Sequence, residues 1–303
     1  MKKFISLGMA MIIFCQLNLP CFALTEESGL DLEHICYNIE TNEEYYIEIM
    51  DECDTKSSPS YEGDTELVEQ VCNELYEFYI TNSNNVSTFS IIGEDEREII
   101  GASSFKPYCR ICLLKITYED GTLGYGTGWF YSTDRVATAG HCIYDQDHGW
   151  ATRIIVEPGH YDGIAPYGTA FATNMITSIN WKNNGDDKYD YGLIELDWPL
   201  GEHCGYFGYS VTSFPIGKEV TLIGYPGDKD IDFEKWYQWG MTGRILLYSE
   251  QKLYYTIDTF SGQSGAPIYI NENNVIGIHT NGGELYNSGR RIDDSLFNMM
   301  QSF

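Results

Sequence analysis

Short apolar stretches separated by turn-forming residues recur along the chain after about residue 90. Residues 126–131 and 136–138 are β-forming stretches on either side of the polar tetrapeptide Ser-Thr-Asp-Arg. Many short strands with Gly, Pro and Asp between them predict an all-β sandwich or barrel. Further stretches of this kind occupy residues 191–196, 219–223, 253–257 and 275–278.

The N-terminus has a different pattern. Lys2 and Lys3 precede an apolar run over residues 4–19, which ends at Pro20 and is followed by the small residue Ala23. These are the parts of a secretory signal peptide, so the sequence predicts a leader over 1–23, cleavage after Ala23 and an extracellular protein. The alternative is a membrane anchor, but the run is short for a span. We therefore expect no membrane association of the mature form.

Residues 24–89 are strongly acidic. They hold 17 Asp and Glu side chains against a single base, Lys56. Helical spacing of apolar residues over 67–78 predicts one helix, and the polar stretch 81–85 predicts an exposed linker. Two interpretations stay open on these patterns: a solvated spacer, or a pro-segment removed after export.

The whole chain of 303 residues carries a formal net charge of −27. A surface this acidic is unsuited to neutralising phosphates, so we expect no nucleic-acid partner. Hydrophobic residues make up 43% and aromatic residues 15%, which excludes a disordered acidic tail. The composition is that of a folded protein with an acidic surface.

The cysteines allow several arrangements. Export makes disulfides possible. Cys109 and Cys112 form a C-x-x-C, which is typical of a redox pair or half a zinc site. No second C-x-x-C or H-x₃₋₅-H follows, so we expect no metal site and take structural or free thiols as the default.

Three segments carry candidate chemistry: His141 beside Gly140, Asp190 directly before an apolar stretch, and Ser264 in a G-x-S-G context. Each alone has an ordinary structural use, as a packing histidine, a strand-ending aspartate or a turn serine. Together they match the needs of a nucleophilic serine, namely an imidazole base and a carboxylate that orients it. Gly262 permits a backbone in which its N–H and that of Ser264 face one oxyanion.

Their order and surroundings resemble those of the chymotrypsin-like serine proteases, and more closely those of the secreted bacterial glutamyl endopeptidases. The resemblance covers nearly all of residues 90–303 and includes long strings outside the candidate site. These strings are 90–97 (SIIGEDER), 127–129 (TGW), 136–144 (VATAGHCIY), 189–192 (YDYG), 205–210 (GYFGYS), 224–229 (GYPGDK), 257–259 (IDT), 262–265 (GQSG) and 279–282 (HTNG).

The resemblance implies two antiparallel six-stranded β-barrels with the active site in the cleft between them. It also implies an inactive precursor, in which 24–89 is a pro-segment and 90–303 the protease domain. Relatives often have a cysteine where this chain has Gly126, so Cys142 lacks that partner. Cys109, Cys112 or Cys204 would replace it, or Cys142 stays reduced.

Two assignments compete for specificity. A trypsin-style count places Asp258, six residues before Ser264, at the base of the pocket, which favours cleavage after Arg or Lys. The resemblance instead implies that Thr259 and His279 bind a glutamate carboxylate, and that the amino group of Ser90 joins them. A histidine donates to a carboxylate, whereas Asp258 aimed at the same place repels it, so we favour glutamate. The residue before the nucleophile is the uncharged Gln263, which cannot form an ion pair with a freed N-terminus.

The sequence therefore predicts a secreted monomeric serine endopeptidase that acts on proteins or peptides containing glutamate and needs no cofactor or metal. Narrow specificity for a host protein is an alternative, because surface loops decide substrate choice. A non-catalytic binding module on the same fold is an alternative of another class.

Overall fold

Strands predominate in the residues that this computed structural model describes, namely 33–47, 86–87, 91–229 and 235–303. The helices are α1 (Ile179–Asn184), α2 (Gly201–Cys204) and α3 (Asp294–Ser302). The strands are β1 (His34–Asn38), β2 (Glu43–Ile47), β3 (Val86–Ser87), β4 (Glu98–Ile99), β5 (Ile111–Tyr118), β6 (Leu123–Phe130), β7 (Arg135–Thr138), β8 (Tyr144–Asp145), β9 (Gly149–Pro158), β10 (Ala170–Ser178), β11 (Gly192–Leu196), β12 (Gly208–Tyr209), β13 (Glu219–Gly224), β14 (Trp239–Tyr248), β15 (Lys252–Tyr255), β16 (Pro267–Ile270), β17 (Asn274–Gly283) and β18 (Asn287–Arg291).

Six strands close into a first antiparallel barrel in the order β5-β6-β7-β11-β10-β9. The ring closes where β10 pairs with β9, with Ala170 opposite Val156. Six others, in the order β13-β14-β15-β18-β17-β16, form a second barrel, which closes where β17 pairs with β18. The predicted all-β fold of two six-stranded barrels is therefore confirmed, and each predicted strand overlaps an observed one.

Alternate residues of β5 enter two different cores. Leu114 and Ile116 point into the first barrel, while Ile111 and Leu113 pack in the layer between the barrels. Successive side chains of a strand point to opposite faces, so a strand buried on both faces is apolar throughout. Each fully buried side chain of this kind stabilises the fold by about 1.5–3 kcal/mol.

The layer between the barrels is rich in aromatic side chains. Trp129 and Phe207 meet edge to face with ring centroids 6.2 Å apart, and Tyr269 lies 5.3 Å from Phe207. The C-terminal helix α3 adds Leu296 and Met299 to this layer. The two barrels are thus held face to face by apolar burial, which fixes the cleft between them.

A hairpin from the acidic segment extends the sheet of the first barrel. Strand β1 pairs antiparallel with β10 over residues 174–178, and β2 pairs with β1. Ile35, Cys36 and Tyr37 are buried, and Tyr37 stacks on Trp150 with ring centroids 4.8 Å apart. Residues 33–47 are therefore not a solvated spacer. The helix predicted over 67–78 lies outside the described residues.

The five cysteines in the described ranges are buried, and Cys109, Cys112, Cys142 and Cys204 are free thiols. Burial raises the pKa of the Cys109 thiol, and it raises that of Cys204 to about 12. Because the thiolate is the reactive form, these groups are poor redox nucleophiles. Cys109 and Cys112 behave as small core side chains, in line with the default taken from the sequence.

Candidate active site

The pairing of β7 with β11 brings His141 and Asp190 together. Thr138, the last residue of β7, lies opposite Gly192, the first of β11. His141 follows three residues after Thr138 in a 3₁₀ turn, and Asp190 precedes Gly192 by two residues. Two short chain segments at neighbouring strand ends therefore converge.

Asp190 holds His141 through two hydrogen bonds. Its Oδ2 lies 2.9 Å from the histidine Nδ1, and its Oδ1 accepts the backbone N–H of His141 at 2.9 Å. Gly140 makes this approach possible, because a Cβ there would lie 2.9 Å from Asp190 Oδ1 and 2.8 Å from the ring of Trp181. The carboxylate is fully buried, so ring and carboxylate are locked in one relative orientation.

The charge of Asp190 decides the protonation of His141. Burial disfavours the imidazolium and lowers the pKa, but the charge and hydrogen bond of Asp190, together with Cys142, outweigh burial, so the pKa of His141 lies well above its usual range. His141 is thus a strong base whose neutral form is reached only as the pH rises.

Ser264 lies on a loop whose backbone conformation requires glycine at two positions. Gly262 and Gly265 have φ angles of +98° and +89°, in the region that side chains disfavour. A Cβ on Gly262 would lie 2.3 Å from the carbonyl oxygen of Tyr225, and one on Gly265 would lie 2.1 Å from that of Thr127. Both positions therefore require glycine.

Thr127 of β6 fastens this loop to the first barrel. Its N–H donates to the carbonyl oxygen of Ser264 at 2.8 Å, and its hydroxyl donates to that of Gly262 at 2.7 Å. The Sγ of Cys142, next to His141, lies 3.8 Å from the same Ser264 oxygen. Within the described residues no hydrogen bond joins the Ser264 hydroxyl to His141, and such bonds are often long without substrate. Of the three predicted residues, His141 and Asp190 are therefore hydrogen-bonded to each other, and the backbone of Ser264 lies beside them.

Two backbone N–H groups at this loop, those of the predicted oxyanion residues, have no partner within the part of the chain that the structure describes. In the described part of the chain, the N–H groups of Gly262 and Ser264 have no acceptor, while Gln263 N–H donates to Phe260 O at 3.0 Å. Two unpaired donors on either side of a paired one are available to a developing negative charge.

The side chain of Asp258 accepts hydrogen bonds from backbone N–H groups of the same chain. Its Oδ1 accepts the N–H of Ile92 at 2.7 Å and its Oδ2 accepts that of Glu96 at 3.0 Å. The residue is 1% exposed. Both carboxylate oxygens are therefore occupied by backbone donors of the segment 91–97.

Thr259 and His279 remain as candidate pocket residues, whereas Ser90 lies outside the described residues. The Thr259 hydroxyl is buried and has no partner among the described residues. The Nδ1 of His279 lies 2.7 Å from the Tyr255 hydroxyl. Burial lowers the pKa of His279 to about 3, and the charges of His141 and Lys252 act in the same direction. His279 is therefore neutral in the free protein.

Sequence reasoning did not identify Thr127, Tyr255 or Arg97 as parts of the site. Arg97 has a fully buried side chain that ion-pairs with Asp228 and donates to Gln263, the residue directly before Ser264. Thr127 and Arg97 both lie in strings that carried the resemblance, which was the one signal pointing to them.

No helix in the described ranges is long and apolar enough to cross a membrane. The same ranges contain no group of three or more His, Cys, Asp or Glu side chains placed to hold a metal ion.

The chain matches proteins of known family. Residues 126–278 match the family described as trypsin-like peptidase domain. A Bacillus subtilis protein named "Extracellular metalloprotease" is 38% identical over 258 residues, which cover 82% of this chain and 80% of the relative. The "Glutamyl endopeptidase" of Bacillus licheniformis is 37% identical over 227 residues, covering 71% and 69%. A solved structure, "Structure of Glu endopeptidase in complex with MPD", matches with a TM-score of 0.65 and 28% identity, covering 70% of this chain and 98% of its own.

The name of the Bacillus subtilis relative refers to a metal, but the described residues of this chain do not form a cluster that fits one. Two barrels, a histidine–aspartate pair and a glycine-held serine loop accord with the matched family. The chain therefore belongs to the trypsin-like serine peptidases, where it groups with the bacterial glutamyl endopeptidases, and it is a serine endopeptidase.

Proposed function

We propose that the chain is a secreted endopeptidase, made as a precursor, that cleaves peptide bonds after glutamate with His141, Asp190 and Ser264 as its triad. His141 takes the proton of the Ser264 hydroxyl as the oxygen attacks the peptide carbonyl. The N–H groups of Gly262 and Ser264 stabilise the oxyanion. Protonated His141 then donates to the leaving amine, and water repeats the cycle on the acyl-enzyme.

The observation that carries the glutamate preference is the state of Asp258. Both of its oxygens accept backbone N–H groups. A carboxylate in this state offers little to a basic substrate side chain, because reorienting it toward the pocket would break both of these hydrogen bonds. Cleavage after Arg or Lys, the competing specificity, therefore lacks its recognition group.

The pocket side chains suit a carboxylate. Thr259 offers a buried hydroxyl that has no partner among the described residues, and His279 is a neutral ring that a bound carboxylate would charge. Opposite charge raises the pKa of a histidine, so substrate binding draws a proton onto His279 and forms a charge-assisted hydrogen bond. We further propose that the amino group of Ser90, freed when 24–89 is removed, completes the pocket.

Digestion of denatured proteins tests this function. The purified mature form is expected to release peptides that end in glutamate and, less often, aspartate. Activity should persist in EDTA and disappear in Ser264→Ala or after treatment with a fluorophosphonate. Ends at Arg or Lys would refute the glutamate preference. A folded mature form that cuts nothing and leaves Ser264 unlabelled would establish the non-catalytic binding module instead.

Narrow specificity has its own signature in the same experiment. A host-directed enzyme would cut few proteins, but each at one recurrent sequence longer than the glutamate alone. Sequencing the N-terminus of the secreted form locates the processing site, which we place between Phe89 and Ser90. Retention of residues 24–89 in a fully active form would refute the precursor proposal.

A further inference from the structure

The residue directly before the nucleophile is held by an unusual set of contacts. Gln263 is fully buried. Its Oε1 accepts the N–H of Phe260 at 3.0 Å and an Nη1–H of Arg97 at 3.2 Å, and its Nε2 donates to the carbonyl oxygen of Trp239 at 3.2 Å. The side chain therefore ties the nucleophile loop to itself, to β14 and to an arginine that is 166 residues away in the chain.

Arg97 is fixed from several sides. Its side chain is fully buried and forms two hydrogen bonds with Asp95, at 2.9 and 3.0 Å. Two more reach Asp228, at 3.2 and 2.6 Å. Hydrogen bonding to Arg97 holds the pKa of Asp95 far below its usual range. The planar guanidinium fork allows this many directed bonds from one cation, which an ammonium does not.

The segment that contains Arg97 also contacts the start of the loop that leads to Ser264. Asp258 accepts the N–H groups of Ile92 and Glu96. Residues 92–97 therefore contact positions 258 and 263, which bracket Thr259 and Gly262, and Ser264 follows directly after position 263. All of these contacts come from internal residues of the segment, and none requires a free terminal amine.

We propose that Arg97 is a positioning residue that, through Gln263, holds the N–H groups of Gly262 and Ser264 in their oxyanion-binding orientation, and that it does so before the precursor is cut. In this way Arg97 would replace an ion pair between a new N-terminus and an aspartate before the nucleophile. The uncharged Gln263 cannot form that ion pair. The precursor then has a competent nucleophile and lacks only its completed substrate pocket. This inference rests on the serine mechanism but not on the preference for glutamate.

Replacement of Arg97 tests the positioning role. Arg97→Met should lower kcat on a short ester substrate about 100-fold, the loss expected when one oxyanion donor is misplaced. Its KM should change less than about threefold, since the pocket residues are untouched. Arg97→Lys keeps the charge but not the fork, so it should recover part of kcat. The control is Arg135→Met, which removes a partly buried arginine that pairs with Asp134 and Glu195 in the first barrel.

Folding is separated from positioning by active-site titration. All variants are compared by near-ultraviolet circular dichroism and by the stoichiometry and rate of fluorophosphonate labelling. A folded Arg97→Met protein that labels slowly, with the pH midpoint of His141 unchanged, supports the proposal. A folded protein with kcat within about threefold of the parent refutes it. If Arg97→Met does not fold, Gln263→Leu replaces it, because this change removes the contact and leaves Arg97 paired with Asp95 and Asp228.

The uncut precursor provides an independent test. A small fluorophosphonate carries no glutamate and does not use the pocket. The precursor should therefore label at a rate within about threefold of the mature form, and slow labelling that processing accelerates many-fold would overturn the inference. Loss of the glutamate preference in the mature enzyme would leave this result unaffected, so the two proposals fail separately.

Discussion

A disulfide can be restored beside the candidate active site by Gly126→Cys. A Cβ built on Gly126 lies 2.8 Å from Sγ of Cys142 and 3.7 Å from its Cβ. The usual Cβ–Cβ separation across a disulfide is about 3.5–4.5 Å, so the new cysteine meets Cys142 without movement of the backbone. Gly126 does not have a positive φ, and a cysteine is therefore tolerated there.

The expected gain follows from the loop that the bond closes. Residues 126 and 142 bound a loop of roughly 17 residues, for which the chain-entropy estimate is about 3 kcal/mol. For a domain of this size each kcal/mol raises the unfolding midpoint by about 2–4 °C. The oxidised variant should therefore unfold about 6–12 °C above its reduced form.

Thermal unfolding followed by circular dichroism, with and without reductant, measures this difference. The matched controls are Gly126→Ser and the double change Gly126→Cys with Cys142→Ser, neither of which should respond to reductant. Activity should be retained, since the new Cβ lies 3.5 Å from the Ser264 carbonyl oxygen, an ordinary contact. Equal midpoints for a variant shown by mass spectrometry to be oxidised would refute the reasoning.

Two further predictions concern the histidines. Catalysis requires neutral His141, whose pKa the Asp190 carboxylate raises above the ordinary 6.5, so kcat/KM should rise with pH through a midpoint above 6.5. Asp190→Asn removes that charge and should move the midpoint to lower pH while reducing kcat by orders of magnitude; an unmoved midpoint in the pH–rate profile contradicts the assignment. His279 has a pKa of about 3 without substrate, so binding of a glutamyl peptide to Ser264→Ala near pH 6 should take up a proton, seen as a buffer-dependent enthalpy in calorimetry. His279→Asn should abolish that uptake and lower the preference for glutamate over glutamine by about 10–100-fold, the worth of a charge-assisted hydrogen bond; an unchanged ratio of kcat/KM values would exclude His279 from recognition.

The sequence predicted the meeting of His141 and Asp190 from the needs of a nucleophilic serine, and the structure shows that neighbouring strand ends bring them together. Their stretches, 136–138 and 191–196, have clear β-forming composition, and the observed β7 and β11 cover nearly the same residues. Closure of the strands into two barrels came from the resemblance instead. Alternating apolar patterns say which residues are buried but not which strand edges meet.

The Arg97 contacts were beyond sequence reasoning for a physical reason. The partners Asp228 and Gln263 lie 131 and 166 residues from Arg97, and charge pairs at such separations leave no periodic pattern. The hairpin of β1 and β2 was missed because the acidic composition of 24–89 gave no strand pattern and left a solvated spacer and a pro-segment both open. Its exposed glutamates lie on β2, while the buried Ile35, Cys36 and Tyr37 lie on β1.

Thr127 makes the alignment of the two barrels a condition of the proposed catalytic mechanism. It belongs to β6 of the first barrel, yet its N–H and hydroxyl hold the carbonyl groups of Ser264 and Gly262 in the second. Its own carbonyl oxygen accepts the hydroxyl of Thr138, at the end of the strand that leads to His141. A slide of one barrel against the other therefore distorts nucleophile, oxyanion site and base at once. Heat or denaturant that disrupts only the interface between the barrels would therefore abolish activity while both barrels are still folded.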